Sequence, residues 1–152
     1  MNKRVQCYPS EELFTKLSED SNKLSISISA LVIEILERHY NLIPVNTLPF
    51  SQTVAKVYED VEEYISTKEV GDTFELSYAS KTLRNIPMVD ELENKPSTIR
   101  GRIGKEFSFQ VRNKNGRFNK TVGITRKSNG GARKGRDNGG TIYYIKDGHE
   151  VY

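Results

Sequence analysis

The sequence is poor in the side chains that most chemistry requires. Of its 152 residues one is a cysteine, Cys7, which excludes an internal disulfide and any multi-cysteine zinc site. The two histidines, His39 and His149, lie far apart and share no metal-ligand spacing with a cysteine. No apolar run approaches the roughly 20 residues of a membrane-spanning helix. The opening residues lead into acidic positions and not into an apolar stretch with a small-residue cleavage site, so no secretory signal is expected. The glycine-rich segment 126–140 lacks the Gly-Lys-Ser/Thr ending of a phosphate-binding P-loop and does not lead into a helix. Adjacent acids such as Glu62 and Glu63 would point in different directions on a helix and so build no acid–base pair. Cys7, on the apolar side of an alternating segment, reads as a small packed residue and not as a nucleophile. The expectation is therefore a protein that is not an enzyme, has no cofactor and no metal, avoids membranes and resides in the cytoplasm.

Acidic residues are also scarce in one place. Residues 1–50 carry a net charge of −1 and residues 51–95 of −5, whereas residues 96–152 carry +9, so the overall +3 hides a strongly basic last third. Arginine is the majority of those basic residues, which favours planar contacts with phosphate over simple solubility. Such asymmetry points to nucleic acid as partner.

Residues 3–9 alternate polar and apolar, the period of a half-buried strand: Val5, Cys7 and Pro9 share one face, Arg4, Gln6 and Tyr8 the other. Ser10 offers a helix N-cap, with Glu11 and Glu12 where the helix dipole favours anions. Leu13, Phe14 and Leu17 mark a short helix ending near Asn22. Ser27 or a neighbouring serine opens a second helix with Ile28, Leu31, Val32, Ile35 and Leu36 at helical spacing, widened by Ile33. One strand and two short helices cannot close a core in about 42 residues, and a lone strand leaves its edge unpaired. Pairing with a second copy across a twofold axis solves both problems, so residues 1–42 are expected to form a homodimer. The competing arrangement pairs the strand with a sheet elsewhere in the same chain.

The order strand, helix, turn, helix, with Arg4-Val5-Gln6-Cys7-Tyr8-Pro9-Ser10 leading into Glu-Glu-Leu and Ser27-Ile28-Ser29-Ala30 opening the second helix, resembles the ribbon-helix-helix family of DNA-binding proteins. That resemblance implies an intertwined dimer whose paired strands enter the major groove. By position it makes Arg4, Gln6 and Tyr8 the base-reading side chains; Arg and Gln suit guanine and adenine. It makes Lys3, Ser27 and Ser29 phosphate contacts, the serines through the helix N-terminus. Two features depart from the pattern: Asn22-Lys23 stands where a glycine is usual, and Tyr8 is bulky for its place.

Residues 43–50, with Pro44 and Pro49, read as an extended linker. Beyond it, Ser51 is expected to cap a helix carrying Val54, Val57, Val61 and Tyr64 or Ile65, with an acidic outer face (Glu59, Asp60, Glu62, Glu63) expected to be solvated surface. Residues 73–76 form a short strand, 77–86 a short helix, and 92–95 a loop. Pro96-Ser97-Thr98 opens a helix in which Ile99, Ile103, Phe107 and Val111 recur every four residues, with Arg100, Arg102, Lys105 and Arg112 on other faces. Gly101 and Gly104 cost this helix on the order of 1 kcal/mol each relative to alanine. Packing against another helix is the favoured reason for them, close approach of a phosphate the other. Strands at 121–125 and 141–145 flank the basic glycine-rich loop, which is expected to be mobile or ordered by a partner. Phe118, Tyr143 and Tyr144 are either stacking surfaces for single strands or core.

This order of elements is similar to that of winged-helix domains, so the fold class expected for the chain is α+β: a ribbon-helix-helix module (1–42), a linker (43–50) and a small winged-helix-like α/β domain (51–152). The resemblance makes Arg100, Arg102, Lys105 and Arg112 residues of a recognition helix and Lys127, Arg133, Lys134 and Arg136 residues of a wing, together a second DNA-contact surface. The functional expectation is a homodimeric, sequence-specific double-stranded DNA-binding protein associated with the nucleoid, a transcriptional repressor or a plasmid or mobile-element DNA-marking factor. The alternative is a dimeric adaptor that binds DNA through its N-terminus and recruits a protein such as a relaxase, toxin or partition ATPase through residues 51–152.

Overall fold

The computed structural model describes residues 3–44, 47–90, 94–135 and 139–147. Two helices come first, α1 (Glu11–Leu24) and α2 (Ile28–His39). Ser10 caps α1 by accepting the Leu13 N–H at 3.3 Å. The helix runs past Asn22 and stops at Ser25, which takes the left-handed conformation (φ 52°) in place of the asparagine. Ser27 caps α2, accepting the Ala30 N–H. Residues 3–9 form no regular secondary structure and are exposed, and among the described residues they enter neither sheet. Pairing of this segment with the chain's own sheet is thus not what the fold adopts.

The remainder is α3 (Phe50–Ser66), β1 (Thr73–Glu75), α4 (Leu76–Ala79), α5 (Lys81–Arg84), a hairpin of β2 (Val89–Asp90) and β3 (Lys95–Pro96), α6 (Thr98–Arg112), β4 (Val122–Ile124) and β5 (Ile142–Ile145). Strands β1, β5 and β4 form an antiparallel sheet in that order, with Phe74 opposite Tyr143 and Gly123 opposite Tyr144. The chain is thus α+β. The single helix expected over 77–86 is two short ones, because Ser80 turns out of the helix (φ −121°) and accepts the Leu83 N–H to start α5. Asp60 on α3 receives the Ser80 hydroxyl and the Thr82 N–H. This acid is therefore a structural cap and not part of a merely solvated face.

The apolar stripes of α3 and α6 face each other: Val54, Val57, Val61, Ile103 and Phe107 have no exposed surface. Between them and the sheet lies a chain of rings. Tyr58 meets Phe118 edge-on at 5.2 Å, Phe118 meets Phe107 at 4.9 Å, and Phe107 meets Tyr143 edge-on at 4.8 Å. Phe118 and Tyr143 are thereby core residues, and Tyr144 lies across Gly123, where any Cβ would collide with its ring. Phe118 and Tyr143 therefore offer no stacking surface, whereas Tyr144 is half-buried. Burial holds the Tyr58 phenol far above its ordinary pKa, so it stays neutral.

Helix α2 does not stand apart from this core. Ile26, Ala30 and Leu31 join the same apolar cluster as α3 and α6, with Phe50 at the seam. Two buried carboxylates pin the arrangement. Glu106 of α6 accepts the Ser27 N–H at 2.8 Å and the Ser27 hydroxyl at 2.7 Å. Glu34 of α2 accepts the Ser51 N–H and hydroxyl, both at 2.8 Å, at the start of α3. In each case an anion satisfies the free donors of a helix N-terminus and lies at the positive end of its dipole. Ser51 is thus held by Glu34, and Pro49, not Ser51, occupies the cap position. In packing, the boundary expected between residues 42 and 51 is bridged. Part of the α2 face expected to meet a second copy is covered within the chain, while Ile33, Ile35 and Leu36 remain close to half exposed. Cys7, expected in a core, is exposed in the single chain. Among the described residues no helix is long and apolar enough to cross a membrane, and no group of His, Cys, Asp and Glu could hold a metal.

Candidate nucleic-acid interface

Residues 101, 105, 108 and 112 follow one another at intervals of four, three and four, which places them on one face of α6. Together with Gly104 this face forms one wall of a groove of about 420 Å³. The opposite wall comes from Ile124 on β4 and from Arg126, Ala132, Lys134, Thr141 and Tyr143 on the β4–β5 connection and strand β5. Among the described residues four cations line it, Lys105, Arg112, Arg126 and Lys134, and no acid does.

The second wall is built by the segment expected to be mobile or partner-ordered, and its own backbone orders it. Arg126 bridges to Ala132, and the Lys127 N–H donates to Gly131 O, closing a turn in which Gly130 has φ +83°. Residue 133 then runs between the two strand extensions: its N–H donates to Thr125 O and its carbonyl accepts the Ile142 N–H. Lys134 bridges to Thr141, and the Gly135 N–H donates to Gly140 O. Gly135 and Gly140 lie against the Glu75 carboxylate, where a Cβ would collide with it.

Polar groups in the groove are held in place by neutral oxygens. Ser108 Oγ and the Tyr143 hydroxyl are 2.7 Å apart. Arg112 Nε donates to Ser108 O at 3.2 Å, Lys134 Nζ to Thr141 Oγ1 at 2.9 Å, and Arg126 Nη1 to Gly130 O at 3.0 Å. Burial raises the Tyr143 pKa despite opposing contributions from Ser108, Thr141 and Arg112, so its phenol adds no negative charge at neutral pH. Among the described residues none of the four cations has a carboxylate within ion-pair distance. The groove therefore concentrates positive potential between low-dielectric walls.

The sequence-expected cations separate into two sets. Lys105, Arg112 and Lys134 line the groove; Lys127 and Arg133 are exposed on the same hairpin outside its lining; Arg136 lies outside the described residues. Arg100 and Arg102 correct the expectation. Successive helical residues are turned by about 100°, so positions 100 and 102 leave α6 on either side of the groove face and meet the chain's own elements. Arg100 Nη1 donates to Leu83 O at 2.5 Å and Ile86 O at 2.7 Å, closing the end of α5, and burial lowers its pKa. Arg102 lies over the Phe50 ring, 4.2 Å from its centroid, and faces Glu37 at 3.7 Å. Gly101 and Gly104 also differ from the favoured reading. A Cβ at either would meet nothing within 4 Å, so no helix packs on them.

In the N-terminal segment Lys3, Arg4, Gln6 and Tyr8 are exposed, and Gln6 Nε2 donates to the Tyr8 hydroxyl at 2.6 Å. Ser29 is exposed at the start of α2, whereas the N–H and hydroxyl of Ser27 are already engaged by Glu106. The anion at that N-terminus is the chain's own, and its charge opposes a phosphate at Ser27. Sequence reasoning missed Arg126, Ser108 and Thr141; for Arg126 the signal was its place beside a strand end, where period-two alternation with Ile124 puts both on one side. A second, larger cleft of about 760 Å³ separates the α1–α2 turn from the end of α6. Its one charged group, Arg117, is engaged in a two-pronged pair with Glu62 (2.7 and 2.9 Å). No family model, no curated protein and no solved structure matches the chain.

Proposed function

We propose that the protein binds double-stranded DNA as a homodimer, reading bases with the extended N-terminal segment and adding affinity through the α6 groove. The observation that carries this reading is the groove itself: four cations, no acid, and no ion-pair partner among the described residues. Cations so placed are suited to phosphate, whose neutralisation releases counterions from the duplex. The sheet order β1-β5-β4 and the succession α6, β4, β5 support the winged-helix reading of residues 51–152, to which the β2–β3 hairpin and the split α4 and α5 are departures. The exposed segment 3–9, unpaired in either sheet and with Val5 (88%) and Cys7 exposed, leaves a backbone edge and an apolar face for a second copy, as the ribbon-helix-helix resemblance implies. A dimeric reader of short inverted repeats serves as a repressor or as a factor that marks plasmid or mobile-element DNA.

The test is selection of binding sites from a random duplex pool by the full-length protein, repeated with Arg4→Ala/Gln6→Ala. An inverted repeat is expected with the native chain, and loss of sequence preference with retained affinity for duplex in the variant. Unchanged site discrimination in the variant removes the base-reading role of the segment. No enrichment and no duplex affinity by the native chain removes the DNA reading and leaves the protein-recruiting adaptor.

A further inference from the structure

We infer that the α6 groove is a sequence-neutral clamp in which the phosphodiester backbone of one DNA strand seats directly against the main chain of α6 at Gly101 and Gly104. This rests on the DNA-binding reading and specifies what that site takes, and it departs from a recognition-helix role for α6.

Nothing inside the fold needs the two glycines. Both sit inside the helix, neither has a positive φ, and an added Cβ at either position meets no atom within 4 Å. Alanine would favour the helix at both places, so the space they leave open faces outward, into the groove. There they share a face with Lys105, Ser108 and Arg112 and look across to Arg126, Lys134 and Thr141. Ammonium, guanidinium and hydroxyl donors on both walls around bare backbone are the complement of a phosphate chain passing at close range.

The same lining is poorly suited to reading bases. Among the described residues it contains no Asn, Gln, Asp or Glu to distinguish adenine or cytosine by hydrogen bonds. Arg112 and Arg126 are each tied at one guanidinium nitrogen to a main-chain carbonyl, which positions them as fixed charges. Arg100 and Arg102, the other arginines of α6, are turned away onto α5 and onto Phe50. Sequence preference is left to the N-terminal segment.

The experiment measures affinity of the full chain for a selected duplex and for a random-sequence duplex over a salt series, with thermal midpoints in parallel. Gly101→Ala/Gly104→Ala is expected to raise the midpoint yet weaken both duplexes by about the same factor, on the order of tenfold or more, as each Cβ holds the phosphodiester chain away from the main chain and from the charged donors of the two walls. Lys105→Ala/Arg112→Ala/Lys134→Ala is expected to reduce the salt slope by about 0.9 per cation removed. Between 50 and 200 mM salt the triple variant then loses roughly 40-fold less affinity per protomer bound than the native chain. A lower midpoint for the glycine variant would show that the glycines serve the fold and would overturn the inference. So would unchanged affinity of that variant, although a flattened slope in the triple variant would leave the DNA reading intact. Unequal losses on the two duplexes would overturn sequence neutrality. An unchanged slope in the triple variant would remove the groove from DNA binding altogether.

Discussion

Glu106→Ala is the sharpest test of how the chain is held together. The native carboxylate is buried on α6 and takes both free donors of Ser27, the N–H at 2.8 Å and the hydroxyl at 2.7 Å. A hydrogen bond to a charged group contributes about 1.5–3 kcal/mol. Two at the lower end give about 3 kcal/mol, to which the interaction with the α2 dipole adds and from which the better helix propensity of alanine subtracts, each a few tenths. The expected cost is thus about 3 kcal/mol, a large fraction of the roughly 5–15 kcal/mol that holds a domain folded. For a chain of this size it corresponds to a fall of roughly 6–12 °C in thermal midpoint. Glu106→Gln keeps one acceptor and should cost about half as much. Urea unfolding followed by circular dichroism reads the change as a shifted midpoint at constant slope. A cycle with Ser27→Ala isolates the pair, with a coupling of about 1–2 kcal/mol expected. A cost below about 0.5 kcal/mol for Glu106→Ala would refute the claim that α2 is wired to α6.

Two further predictions follow from side chains taken up by the fold. Burial opposes ionisation of Asp60, but the Thr82 N–H and hydroxyl, the Ser80 hydroxyl and Lys81 outweigh it and hold its carboxyl below the ordinary value. Its contribution is therefore present above the unfolded pKa and lost as pH falls through the lower folded one; Asp60→Asn should lower stability at neutral pH and flatten the acid limb below about pH 4, and an unaltered limb would contradict this. Arg100→Ala should cost about 2 kcal/mol through the released Leu83 and Ile86 carbonyls and leave the salt slope of duplex binding untouched. A slope lowered by about one per protomer bound would return Arg100 to the DNA surface.

What the sequence made legible depended on how local each determinant is. The stripe Ile99, Ile103, Phe107, Val111 located α6, and Ser10, Ser27 and Ser97 marked three helix starts, because periodicity and capping act over a few residues. Tyr58 was missed although it falls beside Val54, Val57 and Val61 on the buried face, where a polar tip disguises an apolar ring. Glu34 and Glu106 were missed for a related reason. Each lies three residues beyond a buried position (Leu31, Ile103), so an acid interrupts an apolar stripe, yet only the tertiary arrangement brings Ser51 and Ser27 to them. The basic hairpin gave little signal beyond its two flanking strands, since its order comes from backbone bonds around residue 133 and from the turn at Gly130, not from apolar alternation.

Charge counting gives the basic last third more binding capacity than its geometry leaves free. Of the +9 between residues 96 and 152, Arg100 closes α5, Arg102 lies on Phe50 beside Glu37, Arg117 grips Glu62, and Lys146 donates to Asn119 O. Of those that remain, Lys105, Arg112, Arg126 and Lys134 gather where α6 meets the hairpin. Neighbouring positions on α6 then serve opposite ends of the molecule: Lys105 faces the groove while Glu106, about 100° around the helix, holds the start of α2. A strand clamped along α6 and bases read from the segment leading into α1 and α2 would thus be referred to one rigid element. On that reading, the fixed geometry between clamp and reader comes from a buried carboxylate and not from the length of a linker.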